Sequence, residues 1–179
     1  AISFHSDDRK QVYTLKRPEV AMGEEDIDRE YEIIWFNDEK ELLKQAFEVI
    51  DSYPVVLTYN GDIFDMPYLC NRANALGLEY NPFKMMKEKA TLNNGIHIDL
   101  YSVFSNRSLK IYAFGAKYIT DKLDDVSEAM LGEKKVEYTG SLSDISLNLL
   151  SKYCYNDSRL TYELSHYNND LVMNLLIIL

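Results

Sequence analysis

The sequence predicts an α/β or α+β domain, with helices packed on a mixed sheet. Short apolar runs of strand length alternate along the chain with segments whose apolar residues recur at helical spacing. The length of 179 residues suits one domain around one sizeable core. Hydrophobic residues make up 46% and charged residues 27%, the balance of an ordinary globular chain.

Residues 1–5 and 11–15 read as two short strands around the polar turn Ser6-Asp-Asp-Arg-Lys10, a hairpin. Residues 16–30 are charged, carry Pro18 and Gly23, and suit an exposed loop. A third strand is predicted over 31–36. Asn37 or Asp38 then caps a helix to about Ser52, whose buried stripe is Leu42, Leu43, Ala46, Phe47, Val49 and Ile50. The run 54–59 is continuously apolar, as in a central strand. Asn60-Gly-Asp62 breaks it, and a helix follows over 66–76 with Pro67 in its first turn and Gly77 as its stop. Residues 79–94 read as irregular, 95–101 as a short strand running into a helix, and 109–119 fit no one pattern. Leu123–Leu131 is a short helix closed by Gly132. From Ser143 onward the pattern is helical, in two pieces with a bend near 165–169.

A net charge of −10 argues against generic electrostatic binding of nucleic acid, which draws on a basic surface. It leaves room for a nuclease, because a site built from clustered carboxylates is acidic by design and meets phosphate through divalent cations. No run of 18 or more apolar residues is present, so no membrane-spanning helix is indicated. The apolar stretch 171–179 is too short to span and reads as a helix meant for a neighbour, either core or a further domain. Cys70 and Cys154 have no CxxC or HxxxH companions and read as reduced thiols of an intracellular protein. The chain opens at Ala1 inside an apolar run and ends in an uncapped helical pattern, as a piece of something larger would.

Two features carry chemistry. Asp65 stands at the mouth of an apolar strand and opens a helix, where a carboxylate is well placed and partly solvated. Tyr153 and Asp157 are four apart on a helix and project from one face. Carboxylates from separate elements that hold divalent ions around a phosphate suit phosphodiester hydrolysis. A phenol with a pKa near 10 is a poor base at neutral pH, so Tyr153 suits orienting an attacking water. Each feature has a bland counterpart. An Asp after a strand is commonly a helix cap, and a chain with 14 tyrosines places Tyr and Asp four apart by chance. His5, His97 and His166 share no metal-ligand spacing and read as structural or solvated.

The string Tyr59-Asn60-x-x-x-Phe64-Asp65-x-Pro67-Tyr68-Leu69 resembles the second exonuclease motif of family B DNA polymerases. Tyr153-x-x-x-Asp157 resembles the third motif of the DEDDy exonucleases. Between them, His97-Ile-Asp-Leu-Tyr101, Tyr112-Ala-Phe114 and the segment Leu123 to Gly132 resemble archaeal polymerases in order and approximate spacing. The resemblance covers nearly the whole chain, 1–179, as a single exonuclease domain. It implies a ribonuclease H-like mixed sheet flanked by helices and a 3′–5′ proofreading exonuclease using two Mg2+ or Mn2+ ions. On this resemblance Asp65 and Asp157 hold metal, Tyr153 positions the nucleophile, and Asn60 and Phe64 line the path of the DNA 3′ end. Asp99 matches a family position as a structural residue. The implied partners are the single-stranded 3′ end of a DNA primer and the remainder of a polymerase chain, with no membrane and a cytoplasmic, nucleoid-associated location.

One departure matters. The family's first motif, Asp-x-Glu, is absent from the N-terminal strands; Glu30-Tyr-Glu32, Glu39-Lys-Glu41 and Asp7-Asp8 have the wrong order, place or spacing. The motif is therefore expected upstream of Ala1, which leaves two of the four carboxylates here and predicts weak metal binding and slow cleavage. Two other readings stand beside this one: a non-catalytic ribonuclease H-like module that positions DNA, and a stand-alone RNA-processing nuclease of the same fold.

Overall fold

A computed structural model of the chain describes residues 1–87, 89–136 and 138–178. β1 (Ile2–His5) and β2 (Lys10–Leu15) form the expected antiparallel hairpin, with His5 opposite Lys10. β3 (Glu32–Phe36) lies parallel to β2, so this three-stranded sheet is mixed. α1 (Glu39–Ser52) is capped by Asp38, whose Oδ1 accepts from the Lys40 and Glu41 amides at 2.7 and 3.2 Å. Its buried residues are the six that the spacing predicts. At roughly 1.5–3 kcal/mol for each large apolar side chain, that face is what fastens the helix.

β4 (Val55–Thr58) follows, then α2 (Asp65–Ala75), whose first helical residue is Asp65. Arg72 of α2 pairs with Glu39 of α1 through two nitrogens, tying the two helices together. β5 (Phe83–Met86) and β6 (Lys89–Leu92) form an antiparallel hairpin where the sequence reads as irregular. Only Phe83 and Ala90 are buried there, while Lys84, Met85 and Met86 face out, so too few apolar residues alternate to announce a strand. β7 (Ile96–Asp99) runs parallel to β4, pairing Val56 with His97 and Thr58 with Asp99. Among the described residues β7 is the one strand paired with β4, and Val55 is 39% exposed; the run predicted as a central strand is paired on one side.

α3 (Leu100–Phe104) and α4 (Arg107–Tyr112) come next, α4 resolving the ambiguous stretch through a cap by Asn106. α5 (Leu123–Leu131) ends as predicted at Gly132, in left-handed backbone at φ 77. α6 (Leu147–Ser165) begins four residues later than Ser143, because Ser146 supplies the cap through a 3.4 Å contact with the Leu149 amide. α7 (Tyr167–Ile178) contains the expected bend just past its start, where Asn168, Asn169 and Asp170 take φ 51, 55 and 60. Of the terminal apolar stretch, Val172 is buried, Ile177 is 80% exposed, and Leu179 lies outside the described residues.

The core falls into two main parts. One packs Tyr13, Phe36, Phe47 and Phe83 between the mixed sheet, α1, α2 and the β5–β6 hairpin. The other gathers Leu100, Phe104, Phe114, Val126, Leu160 and Leu164 from α3 to α7. α6 contacts β1, β2 and β4 and so joins the mixed sheet to the β4–β7 pair. Its seat on the first is polar as well as apolar. Thr14 and Ser151 share a buried 2.7 Å hydrogen bond, Ser3 donates to the Cys154 carbonyl at 2.7 Å, and Tyr155 stacks on Tyr31 at 4.1 Å.

Candidate functional site

The loop from β4 to α2 places one acid. Asn60 sits in left-handed backbone at φ 66, which turns the chain out of β4. Asp99, buried at the end of β7, holds this turn. Its Oδ1 accepts from the Asn60 amide at 2.7 Å and the Tyr101 amide at 3.0 Å, and its Oδ2 accepts from the Asp62 amide at 3.1 Å. The structural role expected of Asp99 is thus visible as three backbone donors on one carboxylate. The loop then presents Ile63 and Phe64, each 67% exposed, with Tyr68 one turn along α2 at 57%. Asp65 opens the helix between them.

α6 places the second acid. Tyr153 and Asp157 lie one turn apart, and the Lys135 ammonium binds both: 2.8 Å to Asp157 Oδ2 and 3.4 Å to the Tyr153 hydroxyl. Lys135 reaches this point because the segment after α5 is pinned on both sides. The Lys135 amide donates to Asp124 Oδ1 at 3.0 Å, Asn156 donates to the Lys134 carbonyl at 3.4 Å, and Arg159 pairs with Glu133. Beside the lysine opens a cleft of about 320 Å³ lined by Asp124, Lys134, Lys135, Val136, Tyr138 and Tyr153, with Tyr138 edge-on to Tyr153 at 5.2 Å.

Both acids are held above the ordinary carboxylate range. Asp65 is exposed as a residue, yet enough protein surrounds its carboxyl group that desolvation raises its pKa, and the charges of Asp99 and Asp157 add to the rise. Desolvation also raises Asp157, and the adjacent Lys135 offsets this only in part. Burial by itself would lower the Lys135 pKa, but Asp157 and Tyr153 outweigh it and the ammonium stays charged. Burial and the Asp157 charge push the Tyr153 phenol up, away from any role as a base. The two acids therefore act on each other electrostatically, with Lys135 paired to the second.

Divalent ions are what such acids hold, and the residues fit in part. Asp157 Oδ1 is buried without a hydrogen-bond partner, an acceptor that a cation would satisfy. Asp65 and Asp157 each gain from a nearby positive charge. Among the described residues, however, no three of His, Cys, Asp and Glu converge on one point. Asp65 and Asp157 are two acids, short of a complete cation site.

Asn60, Phe64 and Asp65 thus stand on one loop, and Tyr153 and Asp157 on one helix face, the two sets coupled by charge. One feature escapes the sequence. Lys135 sits in the unremarkable run Gly132-Glu-Lys-Lys135, and no spacing marks it. His97, read as structural or solvated, is structural, its side chain 7% exposed between Thr58 and Asp62. His5 and His166 lie elsewhere, their rings tilted against Tyr162, which also bonds Asp7; Tyr155 packs in the core.

The chain is an α/β domain in which desolvated carboxylates at the start of α2 and on α6 lie within reach of one another's charge, the second paired with a lysine. Residues 1–126 match the family model described as DNA polymerase family B, exonuclease domain, and the chain belongs to that family. It is 37% identical over 179 residues to DNA polymerase 1 of Aeropyrum pernix, covering 99% of this chain and 19% of that protein. It is 39% identical over 176 residues to DNA polymerase 1 of Saccharolobus solfataricus, covering 97% and 20%. The DNA polymerase of Methanocaldococcus jannaschii is 31% identical over 140 residues, 73% of this chain and 8% of that protein. The chain thus spans about a fifth of the length of the first two relatives. No helix among the described residues is long and apolar enough to cross a membrane.

Proposed function

We propose that these residues form the 3′–5′ proofreading exonuclease module of a family B DNA polymerase, hydrolysing the terminal phosphodiester of a single-stranded primer 3′ end. The observation that carries the reading is the pairing of Tyr153 and Asp157 around one ammonium, with the Asp65 carboxyl within reach of their charge. Asp65 and Asp157 are the metal-binding residues. Mg2+ or Mn2+ held there would supply positive charge to the phosphate and lower the pKa of a water. Tyr153, its phenol kept protonated, donates or accepts a hydrogen bond that orients that water. Lys135 neutralises Asp157 until substrate arrives and can then pair with a phosphate oxygen. Phe64, exposed beside Asp65, offers an apolar face to the terminal base, and Asn60 a polar contact along the same path.

The remaining carboxylates come, in this reading, from an Asp-x-Glu strand outside residues 1–179, and the rest of the polymerase supplies the basic channel that a chain of net charge −10 lacks. The isolated module is accordingly weak or inactive, and the whole protein works in the cytoplasm at the nucleoid. The half-built cation site favours a second reading, a non-catalytic module that braces or positions DNA. Digestion of an end-labelled single strand by the intact protein, with Mg2+ or Mn2+ and with an Asp157→Ala control, separates the two. Metal-dependent loss of 3′ nucleotides that Asp157→Ala abolishes supports the nuclease. Equal digestion by both proteins, or none by either, refutes it.

A further inference from the structure

We propose that His97 is a positioning residue, bridging Thr58 to Asp62 so that the loop carrying Phe64 and Asp65 keeps the register required by the DNA-end site. The proposal rests on the exonuclease reading and assigns a role to a residue which that reading leaves unused. His97 lies on β7 with its side chain 7% exposed. Its Nε2 is 2.8 Å from Thr58 Oγ1, and its Nδ1 is 3.3 Å from Asp62 Oδ1. A neutral imidazole has one donor and one acceptor nitrogen, and these two partners match them: the Thr58 hydroxyl donates to Nε2 while Nδ1–H faces the carboxylate.

The chain of contacts extends further. Lys89 of β6 pairs with Asp62 Oδ2 at 2.7 Å, but its side chain is 61% exposed, so histidine is the buried anchor and lysine the solvated one. Gly61 lies so close to Thr58 that a Cβ there would stand 2.3 Å from Oγ1, and the loop closes over the hydroxyl. That close approach packs the loop backbone directly against the side chain that His97 holds. Besides the solvated lysine, Asp62 is held by its amide on Asp99 and by its carboxylate on His97. Three residues later stands Asp65, with the Met66 amide bonded back to the Gly61 carbonyl at 3.0 Å. A shift of Asp62 is therefore passed to the acid within one turn, and a misplacement near 1 Å costs a catalytic group on the order of a hundredfold.

Single-turnover cleavage of a single-stranded end by the intact protein tests this, together with amide hydrogen exchange. For His97→Ala we expect the maximal rate to fall about 10–100-fold, as for lost supports of catalytic ligands, with half-saturating DNA changed by no more than about twofold. Exchange over residues 60–65 should rise about tenfold while the β1–β3 sheet stays protected. Asn places its amide where Nδ1 lies and Gln where Nε2 lies, so His97→Asn should recover rate and protection and His97→Gln should not. Wild-type rate and exchange in His97→Ala overturn the proposal, as do equal losses in all three variants that track melting temperature alone. If His97→Ala does not fold, the Asn and Gln variants decide by the same criterion. If the wild-type protein shows no cleavage, the exonuclease reading fails; unchanged loop exchange in His97→Asn and His97→Gln would separately show that the bridge anchors nothing.

Discussion

Replacing Asp99 offers the sharpest test of how the site is held. Its carboxylate accepts from three backbone amides, two on Oδ1 and one on Oδ2, and the residue is 8% exposed. Hydrogen bonds to a charged group contribute roughly 1.5–3 kcal/mol each, and the amides of Asn60 and Asp62 lie on an irregular turn with no ladder to fall back on. Taken at the low end of that range, the three bonds together set the expected cost of Asp99→Ala at about 3–5 kcal/mol. Asp99→Asn keeps an oxygen for Asn60 and Tyr101 but turns its NH2 toward the Asp62 amide, donor against donor. Its cost should be about 2 kcal/mol. Urea unfolding of the intact chain, with unchanged denaturant slope, measures both. Two results would refute the reasoning: a cost below about 1 kcal/mol for Asp99→Ala, or Asn faring worse than Ala.

Other outcomes follow from the same geometry. Asp65 has its pKa raised mainly by desolvation, so its ionised form weighs against folding: the stability linked to it is full below the ordinary value of 3.8 and is lost as pH rises through the folded value. Asp65→Asn should therefore melt above wild type at pH 7, and the gap should close on acidification; a gap that widens toward low pH contradicts the assignment. Lys135→Met removes the cation from Asp157, a pair whose side chains are 25% and 29% exposed, and should cost about 1–3 kcal/mol in denaturant unfolding. Adding Asp157→Asn to it should return part of that loss. Tyr153→Phe should slow cleavage about tenfold, the worth of one hydrogen bond near 1.4 kcal/mol, with little change in the metal concentration needed. Gly61→Ala drives a methyl into Thr58 and should lower stability by about 1–3 kcal/mol, read as a drop in melting temperature.

What the sequence determined by itself is local. The α1 stripe, the Gly132 stop and the first hairpin follow from spacing and turn chemistry, which act over a few residues. Tyr153 and Asp157 were legible as a pair because four residues are one helical turn. Asp65 was legible because its motif is contiguous. The β5–β6 hairpin was not, since its stability lies in backbone pairing and in two buried residues rather than in an alternating pattern.

The tertiary structure alone decided what meets across the chain. Lys135 reaches Asp157 over 22 positions because Asp124 on α5 and Asn156 and Arg159 on α6 pin its segment between the two helices. His97 reaches Thr58 over 39 positions because β4 and β7 pair in parallel. Neither contact has a spacing to read, because each depends on the packing of whole elements, and that packing is set by buried surface and satisfied polar groups summed over the domain.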